Sequence, residues 1–295
     1  MEEISYFMVG MPSGGKTSYI IRLCSQIIRE KNTVYRLADG RLPEGLSNIE
    51  EQMDKMDSFQ KIMRTFENVC YEVRLPLVNE EGERILIRIP DLSGEHYRKL
   101  VEERYIARNI YEGLQQSDEI LFFINTETME KEERLNYDEM SAARMIEESF
   151  REEEGNDGLP ALKEEVPEKA TQSQVTELLQ IILSIVKKKV SMKFIMSAWD
   201  RVEKRFMGER ILPAEYLKRE LPLLYQYMIS NRDRLSFEVF GVSAQGAEYA
   251  DEEELEQLEK ENVDIDTLVK VIMPDGTECP DISSVLRKQE QIKYE

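Results

Sequence analysis

The sequence predicts an α/β fold: a mostly parallel sheet with helices on both faces, one antiparallel hairpin strand and an acidic helical insertion. Short β-branched and aromatic runs alternate with segments whose apolar residues recur at three and four residue steps, the order expected of a parallel sheet covered on both sides. Two runs, "VCYEVRLPLV" and "RILIRIP", are separated only by the turn residues "NEEG", which is the pattern of a hairpin. A charged stretch, residues 126–171, breaks the alternation and holds too little apolar surface to build a core of its own.

The first strand is Ile4 to Val9 (ISYFMV), bounded by Gly10 and Pro12. From Lys16 the apolar positions Ile20, Leu23, Cys24, Ile27 and Ile28 keep helical spacing, so a helix runs to about Lys31. Thr33 to Gly45 reads as an irregular connection and Asn48 to Phe66 as a helix. The hairpin follows, from Val69 to Val78 and from Arg84 to Pro90. His96 to Gln115 is helical in period, and "EILFFIN", Glu119 to Asn125, is a continuous apolar strand of the kind buried on both faces. The insertion carries one expected helix, Tyr137 to Phe150, and is otherwise read as partly disordered. The pattern resumes with a helix over Gln172 to Lys189, a strand over Met192 to Ser197, a helix over Pro213 to Asn231, a strand over Phe237 to Val242 and a last helix from near Asp281. Residues 1–125 and 172–295 are therefore expected to form one domain, with 126–171 set into it.

Composition narrows the partners. A formal net charge of -20 disfavours nucleic acid and anionic membrane surfaces, which are bound mainly through Lys and Arg. The acidic runs "REEEGND" and "DEEELEQLEKE" read as solvated helix faces or loops. No apolar stretch reaches the length of a membrane span, Cys24, Cys70 and Cys279 show no paired spacing, and the N-terminus lacks a signal-peptide pattern, so the expected location is cytoplasmic.

The chemistry starts at the first strand-to-helix turn, "GMPSGGKTS", where Gly10, Gly15, Lys16 and Thr17 fit G-x-x-x-x-G-K-[ST]. In such a turn the backbone N–H groups, here those of Ser13, Gly14, Gly15, Lys16, Thr17 and Ser18, wrap a phosphate. The lysine reaches the outer phosphates, the hydroxyl holds Mg²⁺, and the helix N-terminus adds its partial positive charge. Pro12 offers no N–H to such a cradle.

In open α/β sheets ligands bind beyond the carboxyl ends of the strands. Three such ends carry further signals. The hairpin's second strand is followed by "DLSGE", in which Asp91 can hold Mg²⁺ and Gly94 can bring its backbone to a terminal phosphate. "KFIMS" runs into "SAWD", which sets Ser197 and Asp200 at the sheet edge, and "FEVFGV" runs into "SAQG".

At these points the chain resembles the translation-factor and Ras-like (TRAFAC) class of P-loop GTPases, whose motifs in order are the phosphate loop, a switch threonine, D-x-x-G, N/T-K-x-D and S-A-K. The resemblance spans most of the chain apart from the insertion. Within that class "S-x-W-D" and the C-terminal "DISSVL" look most similar to the bacterial double-GTPase families. It implies that Thr17, Thr65 and Asp91 hold Mg²⁺, that Lys16 and Gly94 face the outer phosphates, and that Asp200 reads the guanine edge. Ser243, Ala244 and Gln245 then contact the base from the other side. Arg64, beside Thr65, is either an internal arginine finger or part of an exposed helix end, and Asp200 has the alternative of capping a helix.

The chain also departs from the class. Ala198 stands where the class has a lysine whose stem packs over the base, and Trp199 either stacks there instead or is structural. Glu95, followed by His96, stands where the class often has a water-orienting glutamine, and its charge would lie near that of the γ-phosphate. Taken together, the resemblance implies a GTP- and GDP-binding, Mg²⁺-dependent, slowly hydrolysing switch. It would present the segments around Thr65 and Asp91 to Glu95 to effector or regulator proteins, in a bacterial defence or conflict setting. A nucleotide-holding scaffold and a P-loop ATPase or small-molecule kinase are the alternatives, the last disfavoured by the lack of an arginine-rich lid.

Overall fold

β1 (Ile4–Gly10) lies inside the sheet because its residues from Tyr6 to Val9 are wholly buried, with side chains feeding both faces. The computed structural model of the chain describes residues 3–31, 33–40, 42, 49–58, 60, 73–90, 94–129, 171–207, 209–247, 252–261 and 263–287. Around β1 are arranged β2 (Tyr35–Leu37), β3 (Val73–Asn79), β4 (Arg84–Ile89), β5 (Glu119–Asn125), β6 (Val190–Ser197), β7 (Leu235–Ser243), β8 (Lys270–Ile272) and β9 (Glu278–Cys279). They form one nine-stranded sheet in the order β2-β3-β4-β1-β5-β6-β7-β8-β9. The run from β4 to β7 is parallel throughout, and both edges are extended by antiparallel pairs.

The helices divide between the two faces. On one side α1 (Lys16–Ile28), α2 (Ile49–Asp57) and a C-terminal 3₁₀ turn (Ile282–Leu286) enclose a core with Tyr6, Met8, Leu75, Ile85, Leu121 and Ile195. The other side is covered by α3 (Glu95–Glu103), α4 (Arg108–Gln116), α5 (Thr171–Ile185), α6 (Trp199–Arg205), α7 (Pro213–Glu220) and α8 (Pro222–Ser230). Their apolar stripes meet Phe7, Phe122, Phe194 and Val239. α9 (Glu252–Lys260) follows β7. The strict alternation in β3 has one packed face, Val73, Leu75 and Leu77, as half-exposed strands show.

The predicted fold class stands, and the hairpin is β3 with β4, six register pairs joining Val73–Ile89 to Val78–Arg84. Several boundaries need correction. The single helix expected over His96 to Gln115 is two, broken at Arg104, which takes a left-handed φ of 59°. Pro213 to Asn231 is likewise split, at Leu221, because Pro222 cannot continue the hydrogen-bond ladder of α7 and opens α8 instead. The expected connection over Thr33 to Gly45 contains edge strand β2, and β8 and β9 were not anticipated. The last helix near Asp281 is a 3₁₀ turn, its Asp281 carboxylate accepting from the Ser283 amide at 2.8 Å.

That C-terminal turn is fixed by buried hydroxyls and one buried cation. Tyr6 donates to the Leu286 carbonyl at 2.6 Å and Tyr19 to that of Ile282 at 3.3 Å. The ammonium of Lys193, fully buried on β6, donates to the Val285 carbonyl at 2.8 Å and lies 3.3 Å from Glu119. Burial holds this lysine below its ordinary pKa, against the pull of Glu119 and Glu238. Among the described residues no helix is long and apolar enough to cross a membrane.

Candidate nucleotide site

The carboxyl ends of β1, β5, β6 and β7 meet at one edge. There β1 passes into α1 through a turn in which Ser13 and Gly15 both take left-handed φ, 59° and 91°. Gly14 donates back to the Met11 carbonyl at 3.2 Å, closing the loop. Lys16, only 2% exposed, folds over it and donates from Nζ to the carbonyls of Gly10 at 2.8 Å and Met11 at 3.0 Å. Thr17 and Ser18 lie half-buried in the first turn of α1.

Gly94 joins this loop through its backbone. Its φ is 83°, and a Cβ there would stand 2.6 Å from Met11 C and Pro12 N and 2.7 Å from Lys16 Nζ. Only glycine fits so close to another backbone. Gly94 is also the residue from which α3 starts, and Tyr97 on that helix donates to the Met8 carbonyl at 2.7 Å. Glu95, at the start of α3, pairs with Arg98 at 2.5 Å. Asp91, Thr65 and Arg64 lie outside the described residues, as do residues 130–170 of the expected insertion and its expected helix.

On the far side of the loop, Ser197 is buried and donates from Oγ to the Gly14 carbonyl at 2.9 Å. A Cβ on Gly15 would stand 2.4 Å from Ser197 Oγ, so the glycine also lets β6 approach the loop. Ala198 takes a left-handed φ of 54° and starts α6. Asp200 lies in the first turn of α6 and is not its cap; the amide of Asp200 donates to Ser243 Oγ at 2.8 Å instead. The helix-cap alternative is thereby set aside.

Burial pushes the Asp200 carboxyl above the ordinary aspartate range, while Arg201 beside it, with Nε 3.6 Å from Oδ2, pulls the other way. Arg201 is held in turn by Glu254 at 3.2 Å and Glu127 at 3.7 Å. Ala244 is buried and Gln245 half-buried in the loop after β7.

Trp199 is a correction. Its side chain is 1% exposed, with the ring edge-on to Tyr216 at 5.4 Å, and a Cβ on Gly241 would stand 2.4 Å from it. The indole fills the core beneath α6 and is unavailable to stack on a base at the sheet edge.

The phosphate loop, the glycine of D-x-x-G and the loops after β6 and β7 thus occupy one end of one sheet. The family model for Double-GTPase 1 matches residues 7–289. The chain belongs to the Double-GTPase 1 family. Membership makes it a GTP-binding P-loop protein. No curated protein matches this Double-GTPase chain.

Solved structures similar to it include the bacterial selenocysteine-specific elongation factor EF-Sec, at 14% identity and a TM-score of 0.36, covering 91% of this chain and 29% of that one. Another is the Arl6 BBS3 small GTPase from Trypanosoma brucei, at 12% identity and a TM-score of 0.31, covering 88% of this chain and 97% of that one. A third is the signal recognition particle receptor complex SRb-GTP/SRX from Chaetomium thermophilum, at 12% identity and a TM-score of 0.36, covering 83% and 92%. The Double-GTPase chain therefore spans less than a third of the elongation factor's length. The family assignment rests on the match over residues 7–289 and not on these distant likenesses.

Sequence reasoning passed over two residues of the Double-GTPase site. Asn125 ends β5, and its Nδ2 donates to the Ser13 carbonyl at 2.8 Å, bracing the loop. Thr126, assigned to the insertion, donates its hydroxyl to the carbonyls of Ser197 at 2.8 Å and Ala198 at 2.9 Å. A polar pair directly after a buried apolar strand was the available signal.

Proposed function

We propose that the chain is a Mg²⁺-dependent GTPase that works as a nucleotide-controlled switch. The observation that supports this reading is the close approach of the Gly94 backbone to Met11, Pro12 and Lys16, which sets the glycine of D-x-x-G beside the lysine that would neutralise the outer phosphates. A change of charge at that lysine is felt directly at the start of α3.

The residues suit the ion. Thr17 lies in the first turn behind the loop, and a hydroxyl with a carboxylate is the hard-oxygen donor set Mg²⁺ takes; Asp91 and Thr65 are assigned to it on sequence grounds alone. When bound, Mg²⁺ supplies neutralisation of charge on the outer phosphates. In hydrolysis water attacks the γ-phosphorus and the bond to the β–γ bridging oxygen breaks. That oxygen leaves with the electron pair on GDP, and the protons of water end on the released phosphate and in solvent. Lys16 binds the phosphates, Ser197 and Asn125 hold the loop, and Asp200 with the loop of Ser243, Ala244 and Gln245 receives guanine.

Glu95 is paired with Arg98 and Pro12 lacks an N–H, and both support slow hydrolysis. The same two features favour the second reading, a nucleotide-holding scaffold. Effector or regulator proteins that read the Thr65 and Asp91 to Glu95 segments, in a bacterial defence or conflict setting, complete the proposal on the strength of resemblance.

The test is phosphate release from GTP and from ATP, with and without Mg²⁺ and a small-molecule acceptor. Slow, Mg²⁺-dependent release from GTP alone is expected. Binding without release would favour the scaffold, and equal turnover of ATP or transfer to the acceptor would overturn the switch.

A further inference from the structure

Arg22 stands on α1, the helix that carries Lys16 and Thr17, and its side chain is 0% exposed. Its guanidinium reaches three other parts of the chain. Nε donates to the Ala244 carbonyl at 3.0 Å, and Nη1 lies 3.4 Å from Asp57 Oδ1 and 3.5 Å from Asp266 Oδ1. Two further cations share these carboxylates from nearer the surface, Arg29 on Asp57 and Lys31 on Asp266 at 2.8 Å.

Each partner belongs to a different element. Ala244 is in the loop assigned to the base. Asp57 is the last residue of α2. Asp266 lies in a 3₁₀ turn (Ile265–Thr267) ahead of β8. A buried cation must be held by its partners, because water cannot take their place, so losing one carboxylate leaves the charge under-compensated and destabilises the arrangement that also holds the Ala244 carbonyl. Arg22 has little slack: its Nη2 is buried with no hydrogen-bond partner among the described residues.

We propose that Arg22 is a positioning residue that ties the base loop to α2 across the phosphate helix, so that drawing α2 away from α1 loosens the base loop and speeds nucleotide release. The inference rests on the GTP-binding reading. A protein that engages α2 would then act on nucleotide exchange without touching the nucleotide.

The test compares the release rate of a fluorescent GDP with the affinity for inorganic tripolyphosphate, which uses the phosphate loop but has no base. Arg22→Gln and Asp57→Asn should release GDP on the order of tenfold faster, with tripolyphosphate affinity within about twofold of wild type and Arg22→Lys in between. A release rate unchanged in Asp57→Asn, or in Arg22→Gln with its melting transition intact, overturns the coupling. So does equal loss of GDP and tripolyphosphate, since Arg22 would then only hold α1 in place. If Arg22→Gln does not fold, Asp57→Asn decides. Wild-type protein that binds tripolyphosphate but not GDP removes the guanine reading and the coupling together, whereas normal GDP binding with unaltered release in the variants overturns the coupling alone.

Discussion

The hydroxyl of Ser243, fully buried at the end of β7, accepts a hydrogen bond from the amide of Asp200 at 2.8 Å. One side chain thus caps the first turn of α6 from the neighbouring strand and ties the loop after β6 to the end of β7. Ser243→Ala should cost about 1 kcal/mol of stability, the ordinary worth of a lost helix cap, and should weaken GTP binding while sparing tripolyphosphate. Thermal melting and titration calorimetry read the two effects. A variant that melts lower but binds GTP as wild type does would confine Ser243 to the fold.

Asp200 is expected to set base preference. An ionised carboxylate accepts from both N1–H and the 2-amino group of guanine, and adenine presents no such pair. Asp200→Asn should lose on the order of 2 to 5 kcal/mol of GTP affinity and gain affinity for xanthosine triphosphate. Binding of GTP, ATP and xanthosine triphosphate to both proteins checks this; an unaltered preference in the variant assigns the reading of guanine elsewhere.

Acid should release GTP through the same carboxylate. Burial raises its folded-state pKa, so its ionised form is lost at a higher pH than an exposed aspartate's, and affinity should fall as the pH drops through that raised value. The effect on folding has the opposite sign. A carboxyl with a raised pKa favours the folded state below its unfolded pKa, and that contribution is lost as the pH rises through the folded value. GTP affinity and apo-protein melting temperature against pH should therefore diverge in wild type and become flatter in Asp200→Asn.

Gly94→Ala tests the contact on which the switch reading stands. With φ at 83° and backbone atoms 2.6 Å from the new Cβ, the start of α3 has to shift away from Met11 and Pro12. The left-handed φ alone should cost more than about 1 kcal/mol. Phosphate release from GTP should fall by at least about tenfold while GDP still binds, because only the terminal-phosphate side is disturbed. Single-turnover kinetics beside GDP titration separates the two, and full activity would mean that the close approach has no part in hydrolysis.

Lys16→Ala should nearly abolish binding of GTP and GDP alike. It removes the cation that Gly10 and Met11 hold over the loop, where several phosphate charges need neutralising. Calorimetric titration with unchanged affinity would remove the phosphate-loop assignment itself.

Local chemistry wrote much of this molecule into the chain. The phosphate loop was legible because glycine spacing, lysine and hydroxyl report backbone geometry that few other sequences satisfy, and the buried strands because apolar runs have few other uses. Asp200 and Gly94 could be placed from their distance to a strand end. The direction a side chain takes is a different matter, since it depends on what packs against it from remote parts of the chain. Trp199 reads equally as a base-stacking ring or a structural one until Gly241 and Tyr216 are seen to pack against it in the core. Nothing in the sequence singles out Arg22; its role comes from Ala244, Asp57 and Asp266, which the fold brings to it. Likewise β8 and β9 are too short to carry a periodic signal, and they exist as strands because β7 offers an edge to β8 and β8 in turn offers one to β9. Periodicity and turn chemistry act over a few residues, whereas burial, pairing and desolvation are set by contacts across hundreds, and these arise once the sheet has assembled.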